Sequence, residues 1–232
     1  MRLAIMQPYF LPYIGYFKLM AGVDRLVLLD DVNFIRRGWI NRNRIAINGV
    51  VHWLTIPLGE ASQNRLINKI QIADDPAWKR KMIRKVDLSY RAAPYRDTVL
   101  PLFAKIIEAA SGPLSPFLLS QLRLVANYLG LSVRIEPTSA AYPKGGLSGQ
   151  DRILAICRRE GAKTYVNLPG GRELYDLKAF AANGIELLFV ELDLAGLRLQ
   201  SSGQEGPSLS ILDLLMLNSP SAIRKAIAPA GS

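Results

Sequence analysis

The sequence predicts an α/β fold with a mostly parallel β-sheet, helices on both faces, a small antiparallel hairpin insertion and a helical middle. The main observation is that apolar runs of strand length are followed by segments of helical period, five times along the 232 residues. In addition, Gly, Pro and Asn stand at the junctions, as in Pro169, Gly170 and Gly171. We therefore expect residues 1–232 to form a single α/β domain.

Composition limits the class of protein. Half of the residues are hydrophobic and 8% are aromatic, which is ordinary for a globular chain. No apolar run is long enough to span a bilayer, and residues 3–6 are too short for a signal-peptide core. We expect a cytoplasmic protein without a transmembrane segment. The single cysteine, Cys157, predicts neither a disulfide framework nor a cysteine metal site.

The chain is strongly basic, with a formal net charge of +10. Such a charge predicts a polyanionic partner, and three kinds fit: nucleic acid such as tRNA, a phosphate-bearing small molecule, or an anionic membrane surface that the protein touches peripherally. Much of the excess is clustered at residues 36–44 and 79–85. Charge alone does not choose among these partners.

The first thirty residues predict a β-α-β unit. Residues 3–6 form a buried strand, residues 14–20 a helix and residues 25–29 a second strand. The turn between the first strand and the helix is rich in proline and aromatic residues. Pro12 suits a first helical turn, and Gly15 allows a close approach to the helix. The stretch is either a shaped ligand site or a proline-stiffened turn with aromatic core packing.

A hairpin insertion and a helical segment follow. Residues 32–44 are polar and aromatic without a clear period, which predicts a long ligand-facing loop. Runs at 44–47 and 51–57, joined by Asn48-Gly49, predict a β-hairpin. A third β-like run at 68–72 is expected to extend it, so that 44–72 form the insertion. Residues 77–129 are predicted to be helical, with helices at 78–86, 98–109 and 115–129.

The remainder alternates strand and helix again. Strands are predicted at 132–136, 164–168 and 185–191, helices at 150–159, 173–182, 209–217 and 221–227, and a loop at 203–207. Ligands of parallel sheets bind beyond the carboxyl ends of the strands. Gln7, the Asp30-Asp31 pair, Ser139 and Asn167 are therefore expected to share one edge.

Three residues are candidates for acid–base catalysis. Asp30 and Asp31 end a buried strand, where burial beside a like charge could raise a carboxyl pKa toward the range that suits a general base. Adjacent strand positions point to opposite faces, so only one should face the site; a structural role as a cap fits equally well. His52, the only histidine, lies in the predicted hairpin, where a surface or core-edge role is more common. No metal ligand is assigned, and the cofactor is unknown.

The loop at 32–44 gives the best binding constellation. Its arginines can clamp phosphate or carboxylate, its tryptophan offers a stacking face, and its amides read hydroxyl groups. Asn167 with Gly170-Gly171 could supply further donors, and its role depends on whether it faces Gln7. The candidate substrate-binding residues are Gln7, Tyr9, Tyr13, Tyr16, Asn33, Arg37, Trp39, Asn41, Arg42, Asn43, Asn167, Gly170, Gly171 and Tyr175.

Several motifs together resemble the WbqC-like protein family. They are Met-Gln-Pro-Tyr-Phe-Leu-Pro-Tyr-Ile-Gly-Tyr-Phe at 6–17, Asp-Asp-Val-Asn-Phe at 30–34, Gly-Trp-Ile-Asn-Arg-Asn at 38–43, Tyr-Val-Asn at 165–167 and Leu-Ser-Ile-Leu-Asp-Leu-Leu-Met at 209–216. Members of this family occur in bacterial gene clusters for O-antigen and related polysaccharides, and glycine transfer has been suggested for some. The resemblance implies a role in lipopolysaccharide assembly. It also adds Tyr175, Asp176, Gln200 and Asp213 as residues of the family pattern.

The opening turn also resembles the place where HUP-type nucleotidyltransferases carry a His-x-Gly-His pattern. Here Tyr13 and Tyr16 occupy both histidine positions. A phenol donates a hydrogen bond but carries no positive charge at neutral pH, so nucleotidyl transfer by the usual route is not expected. The resemblance implies a Rossmann-like, HUP-like fold. A weaker match to the serine-rich loop and arginine of that fold involves Ser208, Ser210, Ser219, Ser221 and Arg224.

Three functions remain open from the sequence. The first is a transferase that moves glycine or another acyl group to a nucleotide- or lipid-linked sugar, with a small nucleotide, sugar or aminoacyl donor as partner. The second is a non-catalytic module that binds nucleic acid or another polyanion through the basic helix at 79–85. The third is a nucleotidyltransferase-like enzyme. An aminoacyl-tRNA donor would combine the first two.

Overall fold

The computed structural model describes residues 1–199 and 209–229. Its central sheet has five parallel strands, β1 (Arg2–Met6), β2 (Arg25–Leu28), β7 (Arg134–Glu136), β8 (Thr164–Asn167) and β9 (Glu186–Phe189). Their spatial order is β7-β2-β1-β8-β9, so the chain reverses its direction of travel across the sheet between β1 and β8. This is a Rossmann-like order, and such a switch point is where open α/β sheets bind ligands.

Helices cover both faces because consecutive strand residues point to opposite sides. Leu3 and Ile5 pack with α5 (Gly149–Glu160) and α6 (Leu177–Ala182), whereas Ala4 packs on the other face. That second face carries α1 (Ile14–Ala21), α3 (Arg96–Glu108), α4 (Leu114–Tyr128), α7 (Ile211–Leu217) and α8 (Pro220–Ile227), with α2 (Ala77–Ser89) packed against α3. The predicted α/β fold is confirmed. Within the described ranges, every helix is too short or too polar to cross a bilayer.

The predicted hairpin is confirmed, whereas the prediction that the run at 68–72 extends it as a third strand is wrong. β3 (Arg42–Ile47) and β4 (Val50–Thr55) pair antiparallel around Asn48 and Gly49, both with positive φ, as a tight two-residue turn requires. Residues 67–69 form a single 3₁₀ turn instead of a strand. Only β6 (Gln71–Ile72) is extended, and it pairs with the short β5 (Leu58–Gly59) instead of with the hairpin.

The helix predicted at 173–182 begins four residues later. Residues Pro169–Leu174 form a 3₁₀ helix, and α6 starts only at Leu177. The cause is Asp176, whose side chain accepts a hydrogen bond from the Lys178 amide and thereby caps the new helix. The predicted loop at 203–207, together with Gln200 and Ser208, lies outside the described residues.

Candidate functional site

A cavity of about 560 Å³ opens at the switch point, beyond the carboxyl ends of β1 and β8. It is lined by the turn after β1, the loop before β3 and the segment after β8. The predicted site residues that it brings together are Gln7, Tyr9, Tyr13, Trp39, Asn43, Asn167, Gly170, Gly171 and Tyr175. Ile35 and Leu174, which the sequence interpretation missed, complete the rim.

The described lining of this cavity is uncharged. Its polar groups are amides, phenols and an indole. Within the described residues, the Gln7 amide and the Tyr9 and Tyr13 hydroxyls have no hydrogen-bond partner, although all three residues are partly buried. Burial raises the pKa of Tyr9 and of Tyr13, so both phenols stay protonated at neutral pH and act as donors.

The turn that carries these groups is held in a strained conformation by residues far along the chain. Leu11 has φ of 40°, which L-residues rarely adopt. Its amide donates to Gln121 Oε1 at 3.1 Å, and its carbonyl accepts from Asn43 Nδ2 at 2.7 Å and Ser210 Oγ at 2.8 Å. Gln121 was not selected from the sequence, because nothing local to it signals a contact with the turn. Ser210 was noted in the weak match to a serine-rich loop and in the family motif, but without a predicted contact with the turn. Strain fixed in this way is typical of ligand sites.

Gly15 allows the close approach that was predicted, and the group that approaches is the ring of Tyr13. A Cβ at residue 15 would lie 2.4 Å from a carbon of that ring. Tyr16 is fully buried, and its hydroxyl donates to the Gln7 carbonyl at 3.1 Å. Tyr13 therefore forms the cavity wall, whereas Tyr16 supports the backbone behind it.

The end of β8 forms the opposite wall. Asn167 is buried, and its Oδ1 accepts from the Leu168 amide at 2.7 Å while its Nδ2 contacts the Tyr165 hydroxyl at 3.3 Å. The hydroxyl oxygens of Tyr165 and Tyr175 are 3.3 Å apart and share a hydrogen bond. A Cβ at Gly171 would lie 2.9 Å from Asn167 Nδ2, so the second glycine of the pair is needed for this packing. The sequence interpretation did not select Tyr165 as a site residue, because a tyrosine in a buried strand is ordinarily part of the hydrophobic core.

Asp30 lies on the predicted edge but does not line the cavity. Its carboxylate is buried and accepts hydrogen bonds from Ser115 Oγ and Thr138 Oγ1, both at 2.6 Å, and from the Ser139 amide at 3.3 Å. These partners lie 85 to 109 residues away along the chain. The structure thus gives Asp30 a position in which it ties three segments together.

Asp31 also lies outside the cavity lining, in a buried ion pair. Its Oδ2 is 3.0 Å from Arg152 Nη2, and its Oδ1 accepts from Ser139 Oγ. Arg152 also donates to the carbonyls of Ser139, Tyr142 and Pro143. Catalysis by Asp30 or Asp31 stays a prediction, and the contacts of both carboxylates are those of a structural network.

Most polar residues of the loop at 32–44 hold the loop itself. Asn41 donates to the Ile56 carbonyl at 2.8 Å, and Arg42 Nε donates to the Gly38 carbonyl at 3.2 Å. The Arg42 guanidinium lies 3.9 Å above the Trp53 ring, and that of Arg44 lies 4.8 Å from the Trp39 ring. Asn33 and Arg37 are exposed outside the cavity lining.

His52 lies on β4 opposite Ile45, partly buried and away from the cavity lining. Its catalytic role stays a prediction. In residues 1–199 and 209–229, no three His, Cys, Asp or Glu side chains come together in a group that could hold a metal ion. Burial raises the pKa of the Cys157 thiol to about 12, which keeps that thiol protonated in the core.

Comparison with known proteins adds a family and a distant relative. Protein Rv1507c of Mycobacterium tuberculosis, described as uncharacterized, is 30% identical over 217 residues, which is 92% of this chain and 92% of that protein. No solved structure matches the chain, and the HUP resemblance is not confirmed. The model of the WbqC-like protein family matches residues 7–225, from the cavity-lining turn to α8. The chain belongs to the WbqC-like protein family.

Proposed function

We propose that this protein is a transferase of surface polysaccharide assembly that holds a sugar or nucleoside group of its substrate in the cavity between β1 and β8. One observation carries the proposal: the cavity wall combines aromatic rings with uncharged hydrogen-bonding groups that have no partner in the described structure. Its volume of about 560 Å³ lies within the range of about 300–1,000 Å³ for small-molecule sites. The biosynthetic setting is the one that the resemblance to the WbqC-like family implies, and membership of that family supports it.

The chemistry of the wall fits such a group. Sugars and nucleobases present flat or apolar faces together with hydroxyl or amide edges. Tyr9, Tyr13 and Trp39 offer ring faces, and the Gln7 amide offers both a donor and an acceptor. A phosphate inside this cavity would meet no cation among the described lining residues. The phosphates of a nucleotide-linked substrate would instead lie outside, beside the exposed Arg36 and Arg37.

Transfer of glycine or another acyl group can use the phenols directly. The nitrogen of an acceptor amine attacks the acyl carbonyl, and the bond between the acyl carbon and the oxygen or sulfur of the donor breaks. The proton that the nitrogen loses passes through water to that oxygen or sulfur, so that the leaving group is released as an alcohol or thiol. The protonated hydroxyls of Tyr9 and Tyr13 would donate to the carbonyl oxygen as it becomes negative. No step is assigned to Asp30, Asp31 or His52, because none of them lines the cavity.

A titration of nucleosides, free sugars and nucleotide-linked sugars, read by thermal shift and calorimetry, tests the proposal. A ligand at a hundred times its dissociation constant adds roughly 2.7 kcal/mol to the free energy of unfolding. We expect Tyr13→Phe to weaken binding about three- to tenfold, since it removes one neutral hydrogen bond.

Tyr128→Phe is the matched control, because Tyr128 lies on α4 outside the cavity lining. It should leave the affinity unchanged. The proposal fails if no sugar or nucleoside binds, or if both variants weaken binding equally.

A second function is favoured by α2. Arg80, Lys81 and Arg84 are exposed there and have no partner within the described residues, which suits a polyanion. Binding of this kind would fall steeply with salt, would need these three residues, and would be indifferent to Tyr13→Phe.

A further inference from the structure

The mouth of the cavity carries a cluster of exposed apolar side chains. Ile35, in the loop before β3, and Leu174, in the segment after β8, both line the cavity and are solvent-exposed. Leu177, the first residue of α6, is exposed three residues further on. Trp53 is exposed as well, and its ring lies 5.7 Å from that of Trp39 in the cavity wall. Exposed apolar side chains gathered around one opening mark an interaction surface.

Unpaired cations stand beside this cluster. Arg36 and Arg37 follow Ile35 directly and are exposed. Within the described residues, neither guanidinium has a hydrogen-bond or ion-pair partner. The second side of the mouth is close to neutral, because Arg172 and Lys178 are balanced there by Glu173 and Asp176. The positive charge around the mouth therefore comes from Arg36 and Arg37, together with the Arg42 guanidinium that lies over the Trp53 ring and Lys85, which donates to the Trp53 carbonyl.

We propose that the mouth, defined as Ile35, Arg36, Arg37, Trp53, Leu174 and Leu177, rests on the surface of an anionic phospholipid bilayer. Apolar side chains would enter the boundary between headgroups and acyl chains, while the two arginines contact lipid phosphates. The net charge of +10 draws the whole protein to such a surface.

A bilayer fits this surface better than a protein or nucleic acid does. The apolar side chains stand on three separate segments, the loop before β3, β4 and the segment after β8, so each can insert independently into a fluid surface. Nucleic acid would use the arginines but would leave Leu174 and Leu177 exposed to water. A second copy of the chain would bring Arg36 and Arg37 near their own like charges.

A mouth that faces the membrane indicates a class of substrate. A cavity whose mouth faces the membrane can receive a sugar that is attached to a membrane lipid through phosphate, without extraction of the lipid. The sugar would enter between Tyr13 and Trp39, and its phosphate would remain at the mouth beside Arg36 and Arg37. This last step rests on the proposed function, whereas the membrane contact does not.

Flotation of the purified full chain with lipid vesicles tests the contact. One set contains phosphatidylglycerol and phosphatidylcholine in equal parts, and the other contains phosphatidylcholine alone. We expect binding to the anionic set only, weakened by salt. Arg36→Gln with Arg37→Gln should reduce that binding about tenfold or more. Leu174→Ser with Leu177→Ser should reduce it by a similar factor.

The chain offers matched controls for both pairs. Leu174 and Leu177 are 69% and 61% exposed, and Val50 and Leu88, which are not among the six residues of the mouth, are 59% and 61% exposed. Val50→Ser with Leu88→Ser should leave vesicle binding within about twofold of the parent, since neither residue belongs to the mouth. The charge control is Arg159→Gln with Arg224→Gln, two exposed arginines in the last turns of α5 and α8, and it should have an equally small effect.

Four results would overturn the proposal. They are no flotation with anionic vesicles, equal loss in mouth and control variants, a charge effect without an apolar effect, and self-association that the mouth variants abolish. Titration with soluble sugars and nucleosides, without vesicles, separates the two proposals. Sugar binding without flotation removes only the membrane contact, and flotation without sugar binding removes only the proposed function.

Discussion

The carboxyl ends of β1 and β2 are neighbours in the sheet, yet the polar side chains beyond them differ in whether they have hydrogen-bond partners. Beyond β2, the carboxylates of Asp30 and Asp31 are bound by hydroxyls, an amide and a guanidinium. Beyond β1, the amide of Gln7 and the hydroxyl of Tyr13 have no partner in the described structure. A buried charge is stable only when it is paired, whereas a half-buried neutral donor can await a ligand. Here the unused neutral groups mark the site, and the charges hold the scaffold.

We expect the largest effect from a substitution that breaks the buried ion pair between Asp31 and Arg152. Arg152→Leu would leave the buried Asp31 carboxylate without its cation. It would also remove the donor of the Tyr142 and Pro143 carbonyls, whereas the Ser139 carbonyl keeps the Tyr142 amide. We expect a loss of about 3–5 kcal/mol in the free energy of unfolding, measured by urea denaturation.

Arg159→Leu on the same helix is the control, because Arg159 is exposed and should cost less than about 0.5 kcal/mol. A loss below about 1 kcal/mol for Arg152→Leu would show that the carboxylate network does not support the scaffold.

Asp213 extends the comparison, since it is a buried carboxyl group that is not joined to an arginine by any ion pair within the described residues. Burial raises its pKa to about 7, against the opposing effects of the Tyr90 hydroxyl and the Ala46 amide, which donates to Oδ1 at 3.3 Å. The unfolded chain releases this proton near pH 3.8. Its folded-state pKa is raised, so its stabilising contribution is complete below the unfolded pKa and is lost as the pH rises toward about 7.

Asp213→Asn should therefore stabilise the protein at about pH 8 by an amount on the order of 3 kcal/mol, and by little at about pH 4. Urea unfolding of parent and variant at both pH values measures the difference. An advantage that does not change with pH would mean that the carboxyl group does not titrate in this range.

The smallest effects come from two tyrosines of one turn. Tyr16→Phe removes a buried hydrogen bond to the Gln7 carbonyl and should cost about 1 kcal/mol. Tyr13→Phe removes a hydroxyl that has no partner in the described structure and should change stability by less than about 0.5 kcal/mol. Thermal denaturation of the two variants measures both losses of stability. A larger loss for Tyr13→Phe than for Tyr16→Phe would contradict the assignment of the Tyr13 hydroxyl to the ligand.

The fold was predictable because its signals are local. Strand-length apolar runs, Asn48-Gly49 in the hairpin and the alternation of strand and helix all act within a few residues. Errors arose where a distant or competing contact decides. The run at 68–72 is only partly extended because β6 has a two-residue partner in β5, and α6 starts late because Asp176 caps it.

The position of the cavity was predictable from the sequence, whereas the contacts of the polar residues around it were not. The strand ends correctly grouped Gln7 with Asn167, because parallel strands finish at one edge. A sequence shows that Asp31 carries a charge but not that Arg152, 121 residues later, lies beside it. In the same way, Asn41 and Arg42 resemble ligand-binding groups until their bonds to backbone carbonyls are visible.

The strained turn at Leu11 links the cavity to the order in which the chain folds. Its carbonyl is held by Ser210, which is synthesised 199 residues later, and its amide by Gln121, 110 residues later. β1 and α1 can form early, but contacts between such distant residues form late, because long loops must close first. During synthesis the scaffold would therefore precede the cavity. The wall of the cavity would be complete only when α7 docks, so an unfinished chain would lack the cavity of the finished protein.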